Sequence, residues 1–178
     1  MASAGSRPPW WAVVGTAAFV VIVPGTVVGW LPYLLTDRWN VGPPLAGLEA
    51  GRVIGAVLLA LGAIVFMDFV ARFVWEGHGT PAPVAPTRRL VVRGPFRWVR
   101  NPGYVAVLAM LLGQALIFGS VSVLAYAAAV AVAFHVFVVY HEEPTLRETF
   151  GDEFTDYCRR VPRWLPWPRR LPGPKEKS

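Results

Sequence analysis

Two short stretches carry side chains whose types suit chemistry. VVYHEEP, residues 138 to 144, sets Glu142 and Glu143 side by side, after a run from Asn101 to Tyr140 with no Asp, Glu, Lys or Arg. RNPGY, residues 100 to 104, spans the start of that run. Adjacent carboxylates can hold a cation or move a proton, and the imidazole of His141 beside them could accept one. Pro102 suits the first position of a helix and Asn101 the cap before it. RNPGY therefore predicts a helix N-terminus with free amides and a positive dipole end, to which Arg97 and Arg100 add full charges.

The elements that must bring these stretches together follow from the uncharged run. It is forty residues long and is interrupted only by FGS, residues 118 to 120. That length predicts a helical hairpin turning at Gly119-Ser120, which sets RNPGY beside YHEEP. Cations and a helix N-terminus would then face two carboxylates, an arrangement suited to the carboxylate and ammonium of an amino-acid zwitterion. The same spacing also allows Arg97 or Arg100 to pair with the glutamates and pin the hairpin. Spacing alone leaves both readings open.

Composition sets the surroundings. Of 178 residues 54% are hydrophobic and 16% charged, with eight Trp and mean hydropathy +0.45. The apolar residues lie in long runs, which makes lipid the solvent. Four spans are predicted, at about 11–35, 50–71, 102–118 and 120–140, all within one membrane domain covering 1–178. The fold class is all-α and polytopic. Pro24-Gly25 is expected to kink the first span. Asp68 is read as an i,i+4 partner of Arg72 near the interface, and His135 as hydrogen-bonded to a neighbouring helix.

Between the second and third spans, residues 74–101 form a loop. From Trp75 to Arg100 it holds four prolines, three glycines and five arginines against one Glu. After Pro144, Leu146, Phe150, Phe154, Tyr157 and Val161 recur at helical spacing, predicting an amphipathic helix over 145–160. The basic tail over 168–178 reads as disordered. With arginines concentrated in the loop and tail, the positive-inside rule puts both termini in the cytoplasm. The net charge of +6 is thus a topological signal, and nucleic acid is not an expected partner. The single Cys158 excludes an intramolecular disulfide. No metal is expected.

The run GHGTPAPVAPTRRLVVRGPFRWVRNPGY, the hairpin, and then HEEPTLRETFGDEFTDYCRRVPRW resemble the integral-membrane methyltransferases. That group includes the isoprenylcysteine carboxyl methyltransferases and the phospholipid N-methyltransferases. The resemblance covers roughly residues 75 to 165. It implies S-adenosylmethionine as cofactor, with contacts from Arg100, Asn101, Pro102 and Tyr104 and from Glu142 and Glu143. Gly77 and Gly79 resemble the G-x-G of the phospholipid branch. Candidates for a catalytic role are His141 and Arg97. Two positions depart from many carboxyl methyltransferases: Asn101 stands where they have His, and Phe96 where they have Tyr.

The function expected is S-adenosylmethionine-dependent methylation of a lipophilic acceptor, a prenylated or lipid carboxylate or amine, at the cytoplasmic membrane face. The Ala/Val/Arg-rich composition points to a bacterial inner membrane. The alternatives are a non-catalytic scaffold that keeps the hairpin as structure, and, last, a relative of the sterol reductases.

Overall fold

A computed structural model describes residues 22–75, 90 and 92–166. Gly77 and Gly79, the first half of the first predicted span, most of the arginine-rich loop and the tail over 168–178 lie outside the described residues. The described chain is helical, with no strand among its residues.

Helix α1 is described over Ile22–Leu35. Pro24 itself keeps helical angles, φ −65° and ψ −34°, and the irregularity expected there takes the form of a π-helical stretch, Gly25–Trp30. Pro has no N–H to donate, so the ladder must reorganise around it. The helix stops where Thr36 Oγ1 turns back onto the carbonyl of Pro32 at 2.8 Å.

Helix α2, Ala50–Trp75, is apolar around its whole circumference. Within Ala50–Arg72 an 18-residue window has mean hydropathy 2.5, yet only 17% of that window is buried inside the chain. Apolar surface on that scale requires an apolar solvent, and 23 residues suffice to cross a bilayer.

Helix α3, Pro102–Phe118, is the central helix. Its Ala106, Val107, Met110, Leu111 and Ala115 are at most 7% exposed. Packing against α2 is backbone-close: a Cβ on Gly55 would come within 2.6 Å of the Gly113 carbonyl oxygen. Small residues at such crossings let two apolar helices gain dispersion contacts that lipid cannot match. On its other side α3 meets α4, Val121–Phe137, across the two-residue turn Gly119-Ser120. Ser120 Oγ caps α4 by accepting from the Val123 amide at 3.2 Å.

From α4 the backbone passes through a π-helical turn, Val138–Glu142, into α5, Glu143–Arg160. A second window long and apolar enough to span a bilayer lies in Val121–Arg160, while Ile22–Leu35 and Pro102–Phe118 are shorter apolar helices. The amphipathic helix expected over 145–160 is not one straight rod. Gly151, at φ 52° and ψ −123°, breaks it in two. Only glycine takes that conformation without strain. The break lets Leu146 and Phe150 from one half join Phe154, Tyr157 and Val161 in a small core with Leu90 and Cys158.

Candidate functional site

The hairpin places the two chemistry-bearing stretches in contact, and it separates the glutamates. Tyr104, in the first turn of α3, donates its hydroxyl to Glu142 Oε2 at 2.9 Å. Glu143 turns the other way. Arg100 Nη1 lies 2.9 Å from its Oε1, and Arg163 grips it with two bonds, Nε to Oε1 at 2.7 Å and Nη2 to Oε2 at 2.9 Å. The Arg100 and Glu143 side chains are 13% and 10% exposed. A fork-to-fork pair of this kind fixes geometry as well as charge.

Electrostatics follow the partners. For Glu142, burial raises the carboxyl above its ordinary range; the Tyr104 hydrogen bond works against this, and the neighbouring charge of Glu143 with it. For Glu143, burial also works against the charge. The Arg163 hydrogen bonds and the charges of Arg100 and Arg163 outweigh that, and the net shift is downward. Arg163 is raised in turn by its bond to Glu143. At neutral pH Glu143 is therefore a fixed anion inside a cationic clamp.

A strap after α5 completes the base of the site. The Arg100 amide donates to the Pro162 carbonyl at 2.8 Å, and Asn101 Nδ2 donates to the Arg163 carbonyl at 3.2 Å. Asn101 is thus committed sideways and does not cap its own helix with its side chain. Trp164 Nε1 donates to His135 Nδ1 at 3.2 Å. The partner of His135 is this strap, where a neighbouring helix was expected. Tyr157, its hydroxyl pushed up by burial, donates to the Phe96 carbonyl at 2.7 Å and ties α5 to the turn before α3.

Between these parts lies a cavity of about 150 Å³. Arg100, Asn101, Tyr104 and Glu142 are its polar lining residues, and Pro102 and Gly103 lie among them. The remaining walls are apolar: Val23, Pro24 and Val27 from α1, Phe66 and Phe69 from α2, Val107 from α3, Phe134 from α4, and Phe96. The Tyr104 and Phe134 rings lie 4.6 Å apart. Arg100 Nε is buried with no hydrogen-bond partner among the described residues.

Of the residues singled out by sequence, Arg100, Asn101, Pro102, Tyr104 and Glu142 meet at this cavity. Glu143 stands behind it. His141 and Arg97 are exposed and do not line it; the His141 ring lies 5.0 Å from that of Phe137. Phe96, singled out as standing where many carboxyl methyltransferases have Tyr, also lines the cavity. Sequence reasoning missed Arg163 and the walls Phe66, Phe69 and Phe134. No spacing links Arg163 to Glu143, and these three phenylalanines are indistinguishable from lipid-facing residues in apolar runs. Among the described residues no group of acidic, His or Cys side chains is arranged to hold a metal.

Apolar helices packed too tightly to be separated by lipid, with a half-polar cavity between them, define an α-helical membrane protein. Residues 50–153, more than half of the chain, match the phospholipid methyltransferase family, and the chain belongs to that family. Methyl transfer at a membrane is the activity that membership implies. Comparison with curated proteins finds no match.

Proposed function

We propose that the protein transfers a methyl group from S-adenosylmethionine to a lipophilic acceptor, a prenylated or lipid carboxylate or amine, at the cytoplasmic membrane face. The observation that carries this reading is the division of the cavity, with Arg100, Asn101, Tyr104 and Glu142 at its polar end and aromatic and aliphatic walls elsewhere. S-adenosylmethionine, when bound, supplies a methyl group on a sulfonium, and its methionine end is a zwitterion.

The residues present fit that zwitterion. The unpartnered Arg100 Nε and the free amides of Gly103 and Tyr104 in the first turn of α3 suit a carboxylate. Glu142 suits the ammonium, because Tyr104 occupies one of its oxygens and orients the other. Glu143 is neutralised by its arginines, so Glu142 is the carboxylate a ligand meets. Phe66, Phe69, Phe96 and Phe134 keep water out and offer ring faces to a cation.

Catalysis then asks chiefly for alignment of acceptor and methyl in a dry site. A carboxylate acceptor needs no base. An amine must lose a proton, and Glu142, with its raised affinity for protons, is better placed than the exposed His141 to receive it. Four spans with both termini in the cytoplasm would bring the soluble donor and the lipid acceptor to the same end of the bundle.

A second reading, a scaffold without catalysis, is favoured by one observation: the Arg100–Glu143–Arg163 clamp has the form of a structural pin. Calorimetric titration of S-adenosylhomocysteine into the detergent-purified full chain separates the two. The enzyme reading expects saturable binding by wild type and at least tenfold weaker binding by a folded Glu142→Gln variant. Absence of binding by folded wild type would leave the scaffold.

A further inference from the structure

The arginine-rich turn before α3 carries two cavity residues, Phe96 and Arg100, yet has little regular structure of its own. The amides of Phe96, Trp98 and Val99 bond within the turn, to the Arg93 carbonyl at 3.3 Å and the Pro95 carbonyl at 3.1 and 3.2 Å. On one side Tyr157 and the Pro162 carbonyl tie the turn to α5 and the strap. On the other side the end of α2 holds it at two points.

At the first, Gly94 stands at φ 58°, and a Cβ there would fall on the guanidinium of Arg72. The guanidinium therefore occupies the space beside Gly94 that any side chain would need. Asp68, one helical turn back, fixes it there through a 2.8 Å contact to Nε. At the second point, the Phe69 ring sits against the start of α3, where a Cβ on Gly103 would come within 2.8 Å of it. The same ring lies 5.9 Å from that of Phe96. Phe69 and Arg72 share one end of α2 and meet the Gly94–Tyr104 segment at Gly94, Phe96 and Gly103, while Asp68 holds Arg72.

We propose that Arg72, oriented by Asp68, and Phe69 are positioning residues: they seat the Gly94–Tyr104 segment so that Phe96, Arg100 and the α3 amides face the cavity. The Asp68–Arg72 pair thereby gains a role that an isolated surface pair on a helix lacks. Its donor-binding consequence rests on the function proposed above; the bracing itself does not.

The test uses the full-length protein in detergent with Arg72→Met, Asp68→Asn and Asp68→Glu. Hydrogen exchange reads the brace without any ligand. Amides of residues 96 to 101, 103 and 104 should exchange faster in Arg72→Met and Asp68→Asn, while those in the middle of α2 and α3 keep wild-type rates. Asp68→Glu should restore protection. Titration with S-adenosylhomocysteine reads the consequence: affinity should fall about fivefold in Asp68→Asn, the effect of losing one half-exposed ion pair, with little change in melting temperature. Unchanged exchange over 96 to 104, or acceleration spread evenly over α2 and α3, would overturn the proposal. Faster local exchange in the variants of a protein whose wild type binds no S-adenosylhomocysteine would uphold the brace and reject the donor site.

Discussion

Tyr104 and Glu142, at opposite ends of a helical hairpin, share a hydrogen bond of 2.9 Å at the polar end of the cavity. The next residue, Glu143, points away into two arginines. Neighbours in sequence thus hold different positions: one carboxylate faces the cavity and the other holds the bundle's end together.

Substituting the glutamates separately should give opposite phenotypes. Glu142→Gln is expected to leave melting close to wild type and to weaken S-adenosylhomocysteine binding at least tenfold. Glu143→Gln strands two arginines around a neutral amide and should cost about 3 kcal/mol of stability. Thermal unfolding and calorimetry on both variants check this. Equal loss of binding at unchanged stability in both would show that the two residues act alike.

The hydroxyl of Tyr104 can be removed without its ring. Tyr104→Phe keeps the contact with Phe134, whose ring is 4.6 Å away, and releases Glu142. Donor affinity should fall by about three- to tenfold, the worth of one ordinary hydrogen bond of roughly 1 kcal/mol, with little change in melting temperature.

Arg163 carries a test of the strap. Its fork on Glu143 cannot be copied by an ammonium, so Arg163→Lys should recover only part of the stability lost in Arg163→Ala, which we expect at about 2 kcal/mol. Denaturation midpoints of the two variants provide the comparison. Full rescue by Lys would mean that charge alone matters there.

Two acids shifted in opposite directions predict two pH effects. Glu143 is held below its ordinary value of 4.5. Its contribution to stability is full above that value and is lost as pH falls through the lower folded pKa. Glu142 is raised above the same ordinary value. Its ionisation costs folded stability as pH rises from 4.5 through the higher folded pKa, while donor affinity climbs over that same interval. Melting against pH should lose its acid-side fall in Glu143→Gln, and binding against pH should flatten in Glu142→Gln.

Much of this protein is legible in one dimension. The uncharged forty residues and the Gly119-Ser120 break specify a hairpin, because lipid leaves a chain no way to satisfy its backbone except as helix. Pro102 after Asn101 marks where α3 begins. The order of short motifs from GPFR through RNPGY to HEEP resembles the membrane methyltransferases, and the match over residues 50–153 bears out that family.

What the sequence could not decide was direction. Which glutamate faces the cavity depends on a π-helical turn, Val138–Glu142, that shifts the angular register between α4 and α5. A helix of ideal period would aim both side chains differently, and no spacing rule announces the shift. Arg163, twenty residues beyond Glu143, arrives only because Gly151 breaks α5 and the strap folds back under α3. The walls formed by Phe66, Phe69 and Phe134 follow from how α2 and α4 pack about α3, since a Phe that faces lipid and one that faces a cavity look alike until the helices pack. Apolar patterning and motif order determined the elements and the family; tertiary packing alone chose the partners of each charge.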